Sequence, residues 1–301
     1  MEAFKENSAV LMCRPDYYGV FYKINTHMRR KGQKPVDPAG AKFQWYGLRH
    51  ALEQEGIRSY FTDQAEGLPD MVFIANAGLV YKDDFVLSHF RFRKERGKEE
   101  AYFKTAFESF GFKIHELCEG TFEGHGDALF IFDEKETLFC GYSDTDERNY
   151  FRTSERGAIN AAECIKKSPI LVKLIHPDFY HLDTCLCPIG KYILCYPEAF
   201  DAHSFRVIEN HSEVIPVSYR DAMQFVCNGI PIMKLDPRTR ELTHWKLITT
   251  EPSPALRKEL AKRDIELGVV YLSEFHKAGG SARCLVISLN STFLYSVKSD
   301  I

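Results

Sequence analysis

The hydrophobic positions of this chain fall into short apolar runs that alternate with longer amphipathic stretches. Seven runs rich in Val, Ile, Leu and Phe are typical of buried β-strands. These runs cover residues 10–13, 71–74, 85–87, 128–132, 170–175, 192–196 and 284–289. None approaches the roughly 20 apolar residues that cross a bilayer, so the pattern predicts no membrane segment.

Between the predicted strands, apolar residues recur at helical spacing on otherwise charged stretches. In residues 254–267, for example, Leu256 and Leu260 lie one turn apart among Lys, Arg and Glu, which indicates a helix with one buried face. The five predicted helices cover residues 40–55, 99–110, 154–167, 219–227 and 254–267. The alternation predicts an α/β protein with helices outside and strands inside, and the chain has room for roughly five strand-helix groups. It does not define which strands pair.

Composition and length favour a single folded domain over residues 1–301. A chain of 301 residues suits one large domain or two small ones. Hydrophobic residues make up 45% and charged residues 27%, as in an ordinary globular protein. No Pro/Gly/Ser-rich linker or block of like charges interrupts the sequence, so no interior position indicates a domain boundary.

Charge and cysteine content exclude further classes of function. Thirty-nine Lys and Arg face 42 Asp and Glu, so no basic field is present to hold nucleic acid. Residues 1–8 contain Glu2, Lys5 and Glu6 with no apolar stretch after them, which argues against a secretory leader. The nine cysteines are an odd, scattered set, typical of buried free thiols. We therefore expect a cytoplasmic protein.

Cys284 is the first candidate for catalysis, because it lies where a glycine-containing loop enters an apolar run. A nucleophilic cysteine must ionise near neutral pH, and nearby cations or exposed N–H groups favour the thiolate. Lys277, Arg283 and the pair Gly279-Gly280 can supply both. The same local features equally suit a buried structural cysteine beside a flexible turn.

Two other segments carry acids and a possible base. His181 and Asp183 follow a predicted strand and Pro177, so an extended backbone would direct both side chains to one side. A histidine satisfied in a turn is the alternative. In residues 121–129 two glycines allow a tight bend, and Glu123 and Asp127 place carboxylates around it. Such a site suits a cationic substrate and is a poor phosphate cradle.

Asn76 and a His/Cys-containing segment are less informative. Asn76 interrupts an apolar stretch, and taken alone it predicts a hairpin turn. His176, His181, Cys185 and Cys187 lie close together, but Cys-x-Cys lacks the spacing of zinc sites and predicts thiols packed on one face of a strand. We therefore predict no metal.

Taken together, these segments resemble the guanidine-modifying superfamily of arginine deiminases, dimethylarginine dimethylaminohydrolases and amidinotransferases. The resemblance covers nearly the whole chain, with the family's motifs in order. They lie at residues 12–18, 22–25, 70–80, 90–100, 122–129, 151–153, 179–188 and 279–285. The resemblance implies a pentein fold, an α/β propeller of five quasi-repeated strand-helix modules around a pseudo-fivefold axis, with the site in the central channel. No repeat is evident from periodicity.

Within that superfamily the chain looks most similar to the arginine dihydrolase branch, which converts arginine to ornithine, ammonia and carbon dioxide. Asp183 matches the second guanidinium-binding carboxylate, a position where dimethylarginine hydrolases lack an acid. Asn76 stands where deiminases carry aspartate, as in the dihydrolases. Residues 25–28 depart from the branch's usual Asn-Pro-Trp-Met, with His27 in place of the aromatic residue.

The resemblance also implies roles for individual residues. It makes Cys284 the nucleophile, His181 the proton donor and base, and Glu123 and Asp183 the carboxylates that hold the guanidinium. It assigns the substrate contacts to Asn25, Asn76, Arg96 and Arg152. No cofactor is required, the partner is a small guanidino substrate such as arginine, and a homo-oligomer is possible. Alternatives are an arginine deiminase or amidinotransferase with the same cysteine, or a non-catalytic relative that binds arginine or a protein.

Overall fold

The structure, a computed structural model, describes residues 8–143, 150–290 and 292–297. Its helices are α1 Pro38–Gln54, α2 Arg93–Arg96, α3 Glu99–Ser109, α4 Glu155–Cys164, α5 Ala202–His211, α6 Tyr219–Met223, α7 Pro254–Ala261 and α8 Ser273–His276. Its strands are β1 Ala9–Cys13, β2 Arg58–Thr62, β3 Gly78–Tyr81, β4 Asp84–Leu87, β5 Lys113–His115, β6 Ala128–Phe130, β7 Leu138–Tyr142, β8 Ile170–Lys173, β9 Leu186–Ile189, β10 Tyr192–Cys195, β11 Glu213–Pro216, β12 Ile230–Leu235, β13 Leu242–Thr249, β14 Ile265–Val269, β15 Ile287–Ser288 and β16 Leu294–Ser296. The mixture of elements confirms the predicted α/β class. Residues 1–7, on which the prediction against a leader rests, lie outside the described residues.

The strands form five small sheets with one recurring connection pattern. The sheets are β15-β1-β2, β3-β4-β5, β6-β7-β8, β9-β10-β11 and β14-β13-β12-β16. In each, a first strand runs antiparallel to a second, and the second runs parallel to a third. A parallel pair needs a crossover connection, and α1, α3, α4, α5 and α7 supply it in turn. Because β15 pairs with β1, elements from opposite ends of the described chain share one sheet.

Capping residues fix where the main helices begin. Ser154 accepts a hydrogen bond from the backbone N–H of Gly157 and starts α4, and Ser253 does the same for Leu256 at the start of α7. Helix α7 ends at Ala261, and Asp264 then takes a φ of 55°, which turns the chain into β14. The predicted helix over residues 254–267 is therefore wrong beyond α7, because the apolar residues after the turn belong to a strand.

Five of the seven predicted strands are confirmed with small shifts at their ends, and two are wrong in part or whole. Residues 71–74 lie in two 3-10 helices, Pro69–Val72 and Ile74–Ala77, and in the residue Phe73 that joins them. These apolar residues are buried in tight turns, which a run of hydrophobic letters cannot distinguish from a strand. Asn76 thus lies in a 3-10 helix, not in a hairpin turn. The run 284–289 likewise begins in the 3-10 helix Arg283–Leu285, and only β15 is extended.

A short buried turn precedes the first strand of every sheet. Four of these turns are 3-10 helices at Ile74–Ala77, Gly124–Gly126, Leu182–Thr184 and Arg283–Leu285, and the fifth, before β12, contains Asn228. The first of these helices packs against the second and the fourth, and the second packs against the third. The repeated connection therefore brings polar residues from distant parts of the sequence together. None of the helices described is both long and apolar enough to span a membrane.

Candidate active site

The eight residues predicted to form the site are all buried, each with 3% or less of its surface exposed. Each catalytic candidate lies in or beside a turn before a first strand. Cys284 lies in the 3-10 helix before β15, and Asp183 lies in the one before β9. Glu123 and His181 occupy the residues just before their own turns. The common position explains why residues far apart in sequence converge.

The Cys284 thiol is in contact with two polar side chains. It donates to Asp183 Oδ2 at 3.3 Å and accepts from Asn228 Nδ2 at 3.1 Å. The Asn228 Oδ1 accepts the backbone N–H groups of Cys284 and Ser281 at 3.2 and 3.1 Å. Asn228 therefore fixes both the thiol and the loop that carries it.

The environment of Cys284 favours the thiol over the thiolate. Burial raises the pKa of the Cys284 thiol well above its usual range, and the Asp183 charge raises it further. The prediction that Lys277 and Arg283 ionise the thiol is wrong. Lys277 Nζ binds Glu274 at 2.6 Å, and the Arg283 side chain lines a separate cavity. Without substrate, these surroundings therefore favour the protonated thiol of Cys284.

His181 and Glu123 form a second buried pair. His181 Nε2–H donates to Glu123 Oε2 at 3.0 Å, and Arg152 Nη1 donates to the same oxygen at 2.9 Å. Burial alone would raise the pKa of Glu123, but the Arg152 charge and the His181 hydrogen bond outweigh it and hold this pKa well below its usual range. Glu123 is therefore ionised at neutral pH.

Asp183 behaves in the opposite way. Burial raises the pKa of its carboxyl to about 7, and the Arg283 charge and the hydrogen bonds from Cys284 and Asn228 oppose that rise only in part. His181 has an extended backbone, whereas Asp183 is turned by the 3-10 helix Leu182–Thr184, so the two do not lie on one extended segment as predicted. The two carboxylates differ in charge state, and Asp183 can exchange a proton near neutral pH.

Asn76 and Arg96 form a third set of buried polar side chains, next to Glu123. Arg96 Nη1 donates to Asn76 Oδ1 at 3.0 Å and lies 3.8 Å from Glu123 Oε2. The Nε and Nη2 of Arg96 bind the carboxylate of Glu99, whose pKa is raised to about 8 by burial. Arg152 gives its other donors to the carbonyls of Tyr150 and Ile24, each at 2.9 Å. Both predicted carboxylate-binding arginines are thus engaged by protein groups in this state.

Asn25 holds a loop segment against the glycine-containing loop before Cys284. Its Nδ2 donates to the Ala278 carbonyl at 2.8 Å, and its Oδ1 accepts the N–H of His27 and Met28. Gly279 has a φ of +91°, and a Cβ there would come within 2.9 Å of Asn25 Nδ2, so the close approach requires glycine.

His27 fastens the same segment from its other side. Its Nε2–H donates to the Asp178 carbonyl, and its Nδ1 accepts from Arg30 Nη2, each at 2.9 Å. Burial lowers the pKa of His27 to about 4, so the ring stays neutral. His27 therefore joins the segment of residues 24–28 to the loop that contains Asp178 through hydrogen bonds.

Asp127 and Asn228 also belong to the site, although the sequence does not predict them as site residues. Asp127 Oδ1 accepts the N–H of Leu182, its Oδ2 accepts the Thr153 hydroxyl, and it lies 3.8 Å from His181 Nε2. Burial raises its pKa to about 6. Asp127 carried a signal only as a second acid beside the glycine bend. In the sequence, Asn228 and the glycine after it are typical of an ordinary Asn-Gly turn. The structure is needed to show that this turn precedes β12, the first strand of its sheet.

Three buried polar atoms of the cluster have no hydrogen-bond partner. They are Asp183 Oδ1, His181 Nδ1 and Asn76 Nδ2. Buried polar atoms in proteins are normally paired, and the exceptions include groups with a catalytic role. The cluster offers an acceptor beside the thiol, an unoccupied imidazole nitrogen and an amide donor. No group of three His, Cys, Asp or Glu residues in residues 8–143, 150–290 and 292–297 is placed to hold a metal ion.

Comparison with known proteins gives the same family as the motifs. Residues 23–291 match the family described as N,N dimethylarginine dimethylhydrolase, eukaryotic. The bifunctional arginine dihydrolase/ornithine cyclodeaminase ArgZ of Synechocystis is 37% identical over 97% of this chain. The chain spans 39% of the length of that relative. The uncharacterised protein ZK1307.1 of Caenorhabditis elegans is 36% identical over 93% of each chain.

A solved structure resembles the fold closely. The crystal structure of a variant of the ArgZ N-terminal domain, covalently bonded to a reaction intermediate, superposes with a TM-score of 0.83 and 36% identity. The match covers 97% of this chain and all of that one, 100%. The chain therefore belongs to the N,N dimethylarginine dimethylhydrolase family of the guanidine-modifying superfamily and has relatives in its arginine dihydrolase branch, as the motifs predict.

Proposed function

We propose that this protein is an arginine dihydrolase, which converts arginine and two water molecules to ornithine, two ammonia molecules and carbon dioxide. The observation that carries the proposal is the contact between the Cys284 thiol and Asp183. The unpaired Nδ2 of Asn76, which lies with His181 Nδ1 against Gly126, adds to it. Two properties of the Synechocystis relative support the proposal: that protein is described as an arginine dihydrolase, and a variant of its N-terminal domain holds a covalent reaction intermediate.

The buried carboxylates provide the binding site for the guanidinium group. A guanidinium presents five N–H donors in one plane and no acceptor. The unpaired Oδ1 of Asp183 and the anionic Glu123 accept such donors on two sides, and this fixes the central carbon over Cys284. The charge of the bound guanidinium also lowers the pKa of Asp183 and Cys284, because opposite charges stabilise the ionised form. Substrate binding thus produces the thiolate that burial disfavours in the free protein.

The first half of the reaction replaces one nitrogen with oxygen. The Cys284 thiol passes its proton to His181, and the resulting thiolate attacks the guanidinium carbon and forms a C–S bond. His181 then gives that proton to the leaving nitrogen, and the C–N bond breaks to release ammonia. The product of this step is an amidino-thioether. Water, deprotonated by the neutral His181, then attacks the same carbon, and the C–S bond breaks to release citrulline and the thiol. One water molecule is consumed and one ammonia is released.

The second half repeats the chemistry on a neutral group. Citrulline has a ureido oxygen in place of a guanidinium nitrogen, and that oxygen requires a donor. The Nδ2 of Asn76 has no partner in the described structure and can donate to it, whereas an aspartate there would repel it. Attack by Cys284 releases the second ammonia and leaves a thiocarbamate. Water hydrolyses the thiocarbamate to a carbamate, which loses carbon dioxide and gives ornithine.

The remaining predicted residues hold the amino-acid end of the substrate. Arginine side chains suit bidentate carboxylate binding, and Arg96 and Arg152 are the cations next to Glu123. Both bind protein groups here, so a substrate carboxylate must replace the carbonyl partners of Arg152. One of those carbonyls is Ile24, which adjoins Asn25. We infer that residues 24–28, clasped by His27, move when substrate enters the closed site.

We also propose that the five sheets are the five modules of a pentein propeller within a single domain over residues 1–301. The recurring strand order and the convergence of the five turns support a pseudo-fivefold arrangement. The homo-oligomer and the cytoplasmic location stay predictions. All nine cysteines are free, which is consistent with the latter.

Product analysis tests the function directly. Arginine, agmatine and dimethylarginine are offered in parallel, and the products are identified by mass spectrometry. Ornithine and ammonia from arginine are expected. Citrulline without ornithine would indicate a deiminase, and dimethylamine would indicate the activity for which the matching family is described. Turnover only after an amine is added would indicate an amidinotransferase, and no turnover at all a non-catalytic relative.

A pair of cysteine variants controls the assay. Cys284→Ala should abolish product formation without loss of the folded state, because it removes only a buried sulfur atom. Cys118→Ala removes an exposed thiol away from the site and should retain activity. Product from Cys284→Ala at the wild-type rate would contradict the covalent mechanism.

A further inference from the structure

Phe225 has a backbone conformation that is unusual for its residue type. Its φ is 62°, in the left-handed region, and the residue is only 2% exposed. Six other non-glycine residues in the described part of the chain have a positive φ, and all six are charged and at least partly exposed. Phe225 follows the end of α6, where a glycine commonly turns the chain out of a helix. A bulky side chain in this conformation is strained, and strain of this kind is often found at functional sites.

The Phe225 ring packs against histidines from two different loops. Its centroid is 4.8 Å from that of the His27 ring and 4.8 Å from that of the His276 ring, distances at which aromatic rings are in contact. His27 belongs to the segment of residues 24–28, which moves when substrate enters in the proposed mechanism. His276 is the last residue of α8 and precedes the loop that carries Cys284. The ring therefore touches both the segment that opens and the element that leads to the nucleophile.

Phe225 is also connected to the Cys284 thiol through Asn228. The Phe225 carbonyl accepts the N–H of Asn228 at 3.0 Å, and Asn228 Nδ2 donates to the Cys284 thiol at 3.1 Å. A second path runs through His276, whose Nε2 is hydrogen-bonded to the Ser281 hydroxyl at 3.2 Å. The backbone N–H of Ser281 in turn donates to Asn228 Oδ1 at 3.1 Å. Both paths from the Phe225 ring therefore end at the amide that fixes the thiol.

We propose that Phe225 is a positioning residue, which couples closure of residues 24–28 to the alignment of the Cys284 thiol. In the closed site, His27 packs against the Phe225 ring and holds the strained backbone in place. When the segment opens, the ring loses this contact, the backbone can relax, and Asn228 no longer fixes the thiol. The nucleophile is thus aligned only while substrate is enclosed. This inference rests on the proposed function and adds a residue to it that does not touch the substrate.

The kinetics of Phe225→Leu test the coupling. Leucine keeps an apolar side chain and removes the flat ring. We expect kcat for arginine to fall about tenfold and KM to change by less than about twofold, because Glu123 and Asp183 still hold the guanidinium. Phe225→Tyr keeps the ring and should recover most of the lost kcat. A loss confined to KM, or an unchanged kcat, would overturn the proposal.

Phe139→Leu is the matched control for these measurements. Phe139 lies in β7, is fully buried and also contacts a histidine ring, that of His211, with the centroids 5.4 Å apart. Its replacement should lower Tm as Phe225→Leu does and leave kcat unchanged. If both variants lost kcat equally, the effect would be one of general packing, and the role given to Phe225 would be wrong.

Alkylation of Cys284 measures the coupling without any need for turnover. Iodoacetamide reacts with a thiolate that solvent can reach, so its rate at a buried cysteine reports how often the closed site opens. Peptide mass spectrometry should show Cys284 alkylated several times faster in Phe225→Leu than in the wild type. Phe139→Leu should react at the wild-type rate. Equal rates in Phe225→Leu and the wild type would contradict the proposal, whether or not arginine is the substrate.

Hydrogen exchange in Cys284→Ser needs no change at Phe225. Serine removes the thiolate nucleophile and keeps an acceptor for Asn228. Arginine should slow amide exchange in residues 24–28 and, to a similar degree, in residues 225–228 and 276–281. Protection of residues 24–28 alone would contradict the coupling even if Phe225→Leu fails to fold. Absence of protection in all three segments would count against the proposed function, and the alkylation rates would then decide the coupling.

Discussion

Replacement of Asp183 by Asn should make the protein more stable while it removes turnover. Asp183 is fully buried, and burial raises its pKa to about 7 from the ordinary 3.8. Each pKa unit corresponds to about 1.36 kcal/mol, so the ionised carboxylate destabilises the folded state by roughly 4 kcal/mol above pH 7. Loss of the hydrogen bond from the Cys284 thiol offsets about 1 kcal/mol of the gain. We expect a net stabilisation of about 1–3 kcal/mol.

The pH dependence of this gain follows from the direction of the pKa shift. Between the ordinary pKa and about 7, the folded state keeps a proton on Asp183 that the unfolded state has lost. The wild type therefore loses about 1.4 kcal/mol of stability per pH unit in that range relative to the variant. The difference should grow from about pH 4 to about pH 7 and stay constant above.

Calorimetric unfolding from pH 4 to pH 9, with arginine turnover in parallel, is the assay. Asp221→Asn is the matched control, because Asp221 is also buried but accepts hydrogen bonds from Ser218 and Ser253 at 2.7–2.9 Å. That variant should lose stability. An Asp183→Asn protein that is less stable than the wild type above pH 7, or whose stability difference does not change with pH, would refute the reasoning.

Three further substitutions test the other polar groups. Glu123→Gln should lower the free energy of unfolding by about 3–5 kcal/mol at neutral pH, because it breaks the buried ion pair with Arg152. Denaturant unfolding should show this loss shrink as acid protonates the wild-type carboxylate, whose pKa is depressed. Equal stability of the variant and the wild type at pH 7 would contradict this. Asn228→Ala leaves two buried N–H groups unpaired and removes the donor to the Cys284 thiol, so kcat for arginine and Tm should both fall. An unchanged kcat would show that Asn228 has no role in the reaction. Asn76→Asp should shift the product from ornithine toward citrulline in a chromatographic assay, and unchanged ornithine output would refute the role given to the Asn76 amide.

The sequence predicts the fold where burial follows a simple period. Helix α3 and strand β4 lie where their patterns place them. The pattern fails at residues 71–74, because side chains buried in 3-10 turns have the same composition as a buried strand. The recurrence of one strand order in five sheets is not visible in the sequence because backbone pairing defines it, and the five sheets bury different side chains.

The sequence predicts the site residues that carry reactive groups, but not those that belong to the site only because of what they contact. Cys284, His181, Glu123 and Asp183 carry reactive groups that a motif can display. Asn228 contributes by its distance to the thiol, and the sequence gives no sign of which turn lies next to Cys284. The charge states of Glu123 and Asp183 are equally hidden in the sequence, since burial raises the pKa of both and only the contacts of Glu123 with Arg152 and His181 outweigh it.

The central claim is a covalent bond between Cys284 and the guanidino carbon of the substrate. Acid quenching during steady-state turnover of arginine, followed by intact-protein and peptide mass spectrometry, measures this directly. We predict a species heavier than the free protein by the mass of arginine less ammonia, with the added mass on the peptide that contains Cys284. Rapid turnover with no adduct at any quench time, or an adduct on a different cysteine, would contradict the account.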